Sequence, residues 1–449
     1  MKIILGLGVT GFSCAKYFAR EGIAFEIVDT RPHPPLLSEF SAQFPTVPVH
    51  LGGLYETVLK QADEIILSPG ISPHLPELVA LKNQGLSIIG DVELFARVAR
   101  APIIVITGSN AKGTVTTLVS EMIKQAGQAV LVGGNIGTPC LDLLSAPVPK
   151  VYVLELSSFQ LESTHSLHPY AATILNISAD HLDRHGNMAN YIAAKQGIYS
   201  HCQYAVYNSD DKATYPTCLT DSFKHITFGL MSPHADFHLL TENDQTYLAH
   251  HQQKLLSTRD LKILGTHNWA NALAALALGS TLSLPLDAMR AALLSFSGLP
   301  HRCQWIGEWD HIPWYDDSKG TNVGASLAAI QGLGPTLSGK IVLIAGGMGK
   351  GADFTLMQEA LSNYVKTAIL FGQDAPLLAQ AFKTHTDIIR VTSLAEAVLA
   401  AKNSATQGDI VLLSPACASL DMFKDYHHRG EMFVATFNEL RQSNAHGCH

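Results

Sequence analysis

The sequence lacks disulfide spacing. Its seven cysteines are odd in number and scattered, with no C-x-x-C pair, which argues against a disulfide framework and predicts unpaired thiols in a reducing cytosol. No uninterrupted apolar run reaches membrane-spanning length. Residues 270–286 come nearest and are broken by Asn271, Gly279 and several hydroxyls, so no spanning helix is expected. Basic charge is not in excess. The formal net charge of −8 argues against nucleic acid as the main partner, while local Lys and Arg clusters remain available to phosphorylated small molecules. Internal repeats and low-complexity tracts are absent. Met1 to Leu5 is too short for a signal-peptide core and runs into a glycine loop, so it reads as a first strand and the protein as cytoplasmic. An apolar fraction of 47% against 15% charged residues then describes large cores. A chain of 449 residues exceeds one core and predicts roughly two to four domains.

The most informative stretch is APIIVITGSNAKGTVTTL, residues 101–118. The β-branched run Ile103 to Ile106 predicts a buried parallel strand. It breaks at Thr107-Gly108-Ser109-Asn110, and a helix is expected from about Lys112. Strand, small-residue loop, lysine and helix form a phosphate cradle in which backbone N–H groups and the helix N-terminus face the anion. The strict P-loop pattern is not met, because Ile106 and Ala111 stand at its glycine positions and Gly113 at its hydroxyl position.

Upstream, Lys2-Ile3-Ile4-Leu5 leads into Gly6-x-Gly8-x-x-Gly11 and a helix-like run, and the strand Phe25 to Val28 ends in Asp29-Thr30-Arg31. This is the dinucleotide fingerprint with its acidic residue, which taken literally proposes an NAD-dependent oxidoreductase. The segment is short, however. After a strand at Glu64 to Leu67 and the turn Ser68-Pro69-Gly70, the chain soon reaches the second nucleotide loop. Half a Rossmann unit suits half a dinucleotide, such as a uridine diphosphate.

Downstream, Val130 to Val132 precedes the loop Gly133-Gly134-Asn135-Ile136-Gly137. The strand Val151 to Leu154 ends in Glu155, where a carboxylate beyond a phosphate loop holds Mg²⁺ or its waters. The strand Ala172 to Ile177 leads to Asp180-His181-Leu182-Asp183-Arg184-His185. In the predicted helix 191–200, Ile192, Lys195, Ile198 and Tyr199 share a face, which places Lys195 among apolar neighbours. Such a lysine either snorkels to water or loses its proton. Residues 226–264 show only short strand-like pieces. Asn268 and Asn271 lie one turn apart at the start of an alanine-rich helix. The last segment alternates strands near 340–345, 367–371, 387–391 and 409–414 with helix-like runs, the pattern of a doubly wound sheet. Small-residue loops at Asp316 to Asn322, Gly346 to Lys350 and Ser414 to Ser419 suggest a polar, anionic ligand beyond the strand ends.

The runs Thr107 to Lys112, Leu154-Glu155-Leu156-Ser157-Ser158-Phe159-Gln160-Leu161, Asp180-His181-Leu182-Asp183-Arg184, His267-Asn268-x-x-Asn271, His301-Arg302 and Asp317-Ser318-Lys319 together resemble the Mur ligases, over essentially the whole chain and in order. The short fingerprint domain and the tail Leu413 to Phe423 are similar to the branch of that family that adds D-glutamate to UDP-N-acetylmuramoyl-L-alanine. The resemblance implies an α/β protein of three domains. These are a Rossmann-like UDP-substrate domain (1–92), a central P-loop-type ATPase domain with a mostly parallel sheet (93–298), and a doubly wound Rossmann-like domain closing over ATP and amino acid (299–449). It implies a monomer using ATP and two Mg²⁺ ions. The loop Gly108, Ser109, Asn110, Ala111, Lys112, Gly113 and Thr114 would bind ATP together with Asn268, Arg302 and Asp317. Lys112, Glu155, His181 and an N6-carboxylated Lys195 would be catalytic, with Thr114, Glu155, His181 and Lys195 holding metal. The UDP-substrate would meet Val9, Thr10, Asp29, Thr30, Arg31, Ser68, Gly70 and Asn135. D-Glutamate would meet Thr321, Lys350, Ser414 and Phe423.

Two departures stand out. The family usually has Gly-Lys-Ser or Gly-Lys-Thr where this chain has Ala111-Lys112-Gly113, and an acidic residue where it has Ala179. Thr114 is expected to replace the missing hydroxyl. The competing readings are a folylpolyglutamate synthase, which would not be expected to carry the fingerprint domain; an oxidoreductase, which leaves Lys112, Glu155 and Lys195 unexplained; and a silent nucleotide-binding homologue, which should have lost charged residues that are present here.

Overall fold

In the computed structural model, residues 1–446 are described apart from 179, 218–222 and 264. Ala179 therefore lies outside the described residues. The chain groups into two compact units, Met1–Leu256 with Asn271–Leu293, and Ser257–Ala270 with Leu294–His449. The helix Thr266–Thr281 contributes to both, so Asn268 belongs to one unit and Asn271 to the other.

The first unit holds two sheets. The smaller is parallel, with strand order Val49–Leu51, Phe25–Asp29, Lys2–Leu5, Glu64–Leu67, Ser87–Gly90. Ile3, Ile4, Leu5, Ile65 and Ile66 are buried, as continuous apolar runs in a sheet covered on both faces require. Sequence reading finds the three inner strands and misses the outer two, which are short and only partly buried. The helix Val9–Arg20 starts against the central strand, and Gly11 makes this possible. A Cβ there would lie 1.9 Å from the Gly6 carbonyl oxygen.

The larger sheet has nine strands, and the strand Ile103–Thr107 runs between Val151–Glu155 and Ala171–Ile174, parallel to both. Glu155 and the turn after Ile174 therefore flank the loop at its carboxyl end, where ligands of such sheets bind. The uninformative stretch 226–264 contributes its other edge. There, Phe237–Glu242 and Gln245–His250 pair antiparallel.

The second unit is built on a six-stranded sheet of order Gln304–Trp309, Ile312–Asp316, Ile410–Leu413, Ile341–Gly346, Val365–Phe371, Asp387–Arg390. The last five strands are mutually parallel, four of them at the positions the sequence predicts, and apolar clusters cover both faces. The antiparallel hairpin Gln304–Asp316 is not anticipated by the sequence. Its second strand is anchored by Ile312 and a fully buried Trp314, and it delivers Asp316 and Asp317 to the sheet's carboxyl end. Among the described residues no helix is long and apolar enough to cross a membrane, and the described cysteines are unpaired.

Candidate functional site

The phosphate loop is tied to the turn that follows the strand Ala171–Ile174. Ser109 N–H donates to the Asn176 carbonyl (2.9 Å), Asn110 N–H to Asn176 Oδ1 (2.8 Å), and Ser109 Oγ to the Ser178 carbonyl (3.0 Å). Gly108 adopts φ +155° in contact with Leu175, a conformation open to glycine. Ala111 sits in the left-handed region at φ 66°, ψ 0°, immediately before the helix Lys112–Gln125. A methyl group occupies a position suited to glycine, at a cost of about 1 kcal/mol. Lys112 Nζ bends back to the carbonyls of Gly108 and Ser109, 2.9 Å each. Gly113 and Thr114 are buried in the first turn.

Lys195 reaches the same loop. It lies near the end of the helix Met188–Gln196, which gives way to a tighter turn at Gly197–Tyr199, earlier than the sequence pattern suggests. The side chain is buried as expected, at 2% exposure. Its Nζ donates to the Gly108 carbonyl at 2.9 Å and lies 3.3 Å from Thr107 Oγ1. Burial first, and the Lys112 charge second, lower its pKa from 10.5 to about 7. Across the loop, Glu155 Oε1 accepts from Asn135 Nδ2 at 2.8 Å, and Glu155 Oε2 is buried with no partner among the described residues. His181, also in the left-handed region at φ 52°, stands edge-on to Phe159. A cavity of about 180 Å³ is walled by Lys112, Asn135, Asp180, His181 and Lys195 together with Ser157, Ser158, Phe159 and Tyr191. No group of three or more His, Cys, Asp or Glu suited to a metal occurs among the described residues.

Sequence reasoning assigned no role to Ser158, Phe159 or Tyr191. Their signal was present in part, since Ser157 and Gln160 form a capping box that starts the helix Ser158–Leu161.

A second cavity of about 500 Å³ lies over the glycine fingerprint. Val9, Thr10, Asp29, Thr30, Arg31, Ser68, Gly70 and Asn135 all line it. Asp29 is committed internally: its carboxylate accepts from Leu7 N–H (2.7 Å), Arg31 N–H (2.8 Å), Arg31 Nε (2.9 Å) and Arg31 Nη2 (2.7 Å). In a dinucleotide site the corresponding acid takes the ribose hydroxyls. Here it instead aims a guanidinium at the cavity rim. Asn135 belongs to both cavities.

The remaining predicted residues, Asn268, Arg302, Asp317, Thr321, Lys350, Ser414 and Phe423, lie in the second unit. Asp317 is buried, and burial raises its pKa to about 7. Its Oδ2 accepts from Ser414 Oγ at 2.7 Å, so the fully buried Ser414 hydroxyl is already engaged. Asn268 is buried, Lys350 takes φ 54° in its loop, and Phe423 packs partly on the core.

Comparison with known proteins gives three family matches in chain order. Residues 1–90 match the MurD-like N-terminal domain of Mur ligases, 106–279 the Mur ligase middle domain, and 301–417 the Mur ligase glutamate ligase domain. The UDP-N-acetylmuramoylalanine--D-glutamate ligase of Pseudomonas aeruginosa is 50% identical over 440 residues, 98% of each chain. The corresponding ligase of Legionella pneumophila strain Paris is 47% identical over 98% of this chain and 99% of its own. The fold is shared with the MurF ligase of Thermotoga maritima in complex with ADP (TM-score 0.64, 16% identity, 98% and 95% of the two chains). It is also shared with UDP-N-acetylmuramate-alanine ligase MurC of that organism (TM-score 0.60, 18% identity, 98% and 99%).

Proposed function

The chain belongs to the Mur ligase family, and from that membership we infer that it is an ATP-dependent ligase joining D-glutamate to UDP-N-acetylmuramoyl-L-alanine in peptidoglycan precursor synthesis. One observation carries the mechanistic reading. Asn135 is the common wall of the fingerprint cavity and the phosphate-loop cavity, so a carboxylate carried by a ligand of the first can meet a phosphoryl group held in the second.

A carboxylate does not react with an amine, because oxide is a poor leaving group. Transfer of the γ-phosphoryl of ATP to the substrate carboxylate gives an acyl phosphate and ADP. The D-glutamate amine then attacks the acyl carbon, and phosphate leaves from the tetrahedral intermediate. The loop from Gly108 to Thr114 presents backbone N–H groups to the phosphates, and Lys112 supplies positive charge where the transferred oxygens gather. Arg31, oriented by Asp29, Thr10 and the turn Ser68 to Gly70 receive the uridine diphosphate. Asn268, Arg302 and Asp317 contact ATP, while Lys350, Thr321, Ser414 and Phe423 frame D-glutamate.

Magnesium fits the donor set. Glu155 keeps a buried oxygen with no partner among the described residues, and Mg²⁺ retains several waters, so few protein ligands suffice. Glu155 with Thr114 would hold one ion, and His181 with a carboxylated Lys195 a second. The metal supplies charge neutralisation to the phosphoryl oxygens. A Lys195 amine with its pKa near 7 is partly neutral at physiological pH, as addition of CO₂ to its nitrogen requires. The three-way division near residues 92 and 298, a monomeric state and a cytoplasmic location complete this reading. Its test is phosphate release from ATP. Release is expected only with the UDP-substrate and D-glutamate together, and release that ignores either one would overturn it.

A further inference from the structure

At the start of the helix Tyr426–His446 lies Arg429, whose side chain is 0% exposed. Its Nε donates to Ser318 Oγ at 3.0 Å, and its Nη2 to the Ser318 carbonyl at 2.8 Å. Its Nη1 donates to the Cys417 carbonyl at 3.1 Å and lies 3.5 Å from the Gly346 carbonyl. Ser318, Gly346 and Cys417 stand at or beyond the carboxyl ends of Ile312–Asp316, Ile341–Gly346 and Ile410–Leu413, which are neighbours in the sheet. Ser318 Oγ donates in turn to the Tyr426 carbonyl at 2.8 Å and closes the ring onto the arginine's own helix. The next residue, Gly430, lets His301 in: a Cβ there would lie 2.1 Å from His301 Nδ1, which is 2.7 Å from Asp316 Oδ2.

No acidic side chain hydrogen-bonds this guanidinium among the described residues. It is spent on backbone carbonyls and one hydroxyl. Burial lowers its pKa only to about 10, with Asp421, Asp316 and Asp317 among the groups that support the charge, so it remains a cation at neutral pH. A planar fork of five N–H donors reaches several acceptors in fixed directions, whereas a lysine offers one nitrogen.

We propose that Arg429 is a positioning residue for the amino-acid-binding part of this ligase, fixing the mutual placement of the three loops that carry Asp317 and Thr321, Lys350, and Ser414. The inference rests on the functional reading above and assigns Arg429 no contact with substrate. Each loop bears one or two of the groups proposed to meet D-glutamate or ATP. Loss of the fork releases them from one another while the core beneath, built on Trp314, Phe433 and Phe437, stays packed.

Arg429→Lys should therefore raise the KM for D-glutamate by about tenfold or more, the effect of losing one or two charged hydrogen bonds. The KM for the UDP-substrate should stay within about twofold, because its proposed residues are on other elements. Equal D-glutamate KM values in variant and parent would overturn the proposal. So would a parallel loss in both substrates accompanied by a lowered Tm, the signature of a purely structural role. If Arg429→Lys is not recovered folded, Ser318→Ala carries the test. It should raise the D-glutamate KM severalfold with the UDP-substrate KM unchanged, and a parent-like KM refutes the role. Failure of the functional reading would look different, since the parent itself would then show no D-glutamate-dependent phosphate release, and the proposal would fall with it.

Discussion

Lys195 concentrates the chemistry at the scale of a single residue. Its ammonium is desolvated, faces Lys112 and lies against the Gly108 carbonyl. Beside the carboxylate proposed to hold Mg²⁺ a second cation would repel the ion, whereas a carbamate would convert that nitrogen into an anion with two oxygen donors. Lys195→Ala is expected to lower ligation by about a hundredfold or more, a typical loss for one preorganised charged group. Acetate or formate in the buffer should restore part of the activity by filling the carbamate's place. An alanine variant as active as the parent would end the idea. Loss of activity without rescue would leave an ammonium role for Lys195 open. Ala111 makes a smaller statement at the same scale. The loop keeps its left-handed residue even though the side chain there is not glycine, so the hydrogen bonds to Asn176 and Ser178 overrule the local preference.

At the scale of an element, the helix Asp91–Val98 follows the last strand of the smaller sheet. Asp91, its first residue, is fully buried near Cys14 and Cys140, and one of its oxygens lacks a partner among the described residues. Burial raises its pKa from 3.8 to about 6. The folded protein therefore binds the proton more tightly than the unfolded chain does. Below about pH 4 both states are protonated and folding carries no penalty. As pH rises past 6 the folded state must hold a buried charge, and the penalty is fully present. Asp91→Asn should thus stabilise the protein at pH 7 by up to roughly 3 kcal/mol, at about 1.4 kcal/mol per pKa unit. It should be nearly neutral at pH 4. Denaturant unfolding at the two pH values checks this, and an equal effect at both would exclude Asp91 titration as the cause.

For the whole molecule, the decisive question is which nucleotide the glycine fingerprint receives. The motif alone proposes NAD. The fold surrounds it with a five-stranded sheet only, and the internal commitment of Asp29 removes the carboxylate that a ribose diol would need. Calorimetry should show binding of UDP or the UDP-substrate and none of NAD. Tight NAD binding that UDP does not displace would reverse the assignment. Arg31→Ala should weaken the UDP ligand by roughly tenfold through loss of a charge-assisted contact, leaving ATP affinity in place.

Much of this was legible in the chain. Most of the parallel strands, the phosphate loop and the fingerprint turns could be read because each depends on contiguous apolar runs and on residues close in sequence, whereas the set of eight expected residues that line the fingerprint cavity rested on the family resemblance. The burial of Lys195 followed from helical spacing. Other features depended on partners far apart in the chain, and only the tertiary structure decided them. Asp29 meets the Leu7 amide 22 residues away, and Arg429 meets Ser318 111 residues away. Asn135 becomes a shared wall only because the strands Val130–Gly134 and Val151–Glu155 pair side by side. The hairpin Gln304–Asp316 escaped notice because its pattern is short, and its burial comes from helix residues Phe433 and Phe437 more than a hundred positions later. Local sequence sets the conformation of a loop. Which side chain finishes that loop's hydrogen bonds is settled by whatever the fold packs against it.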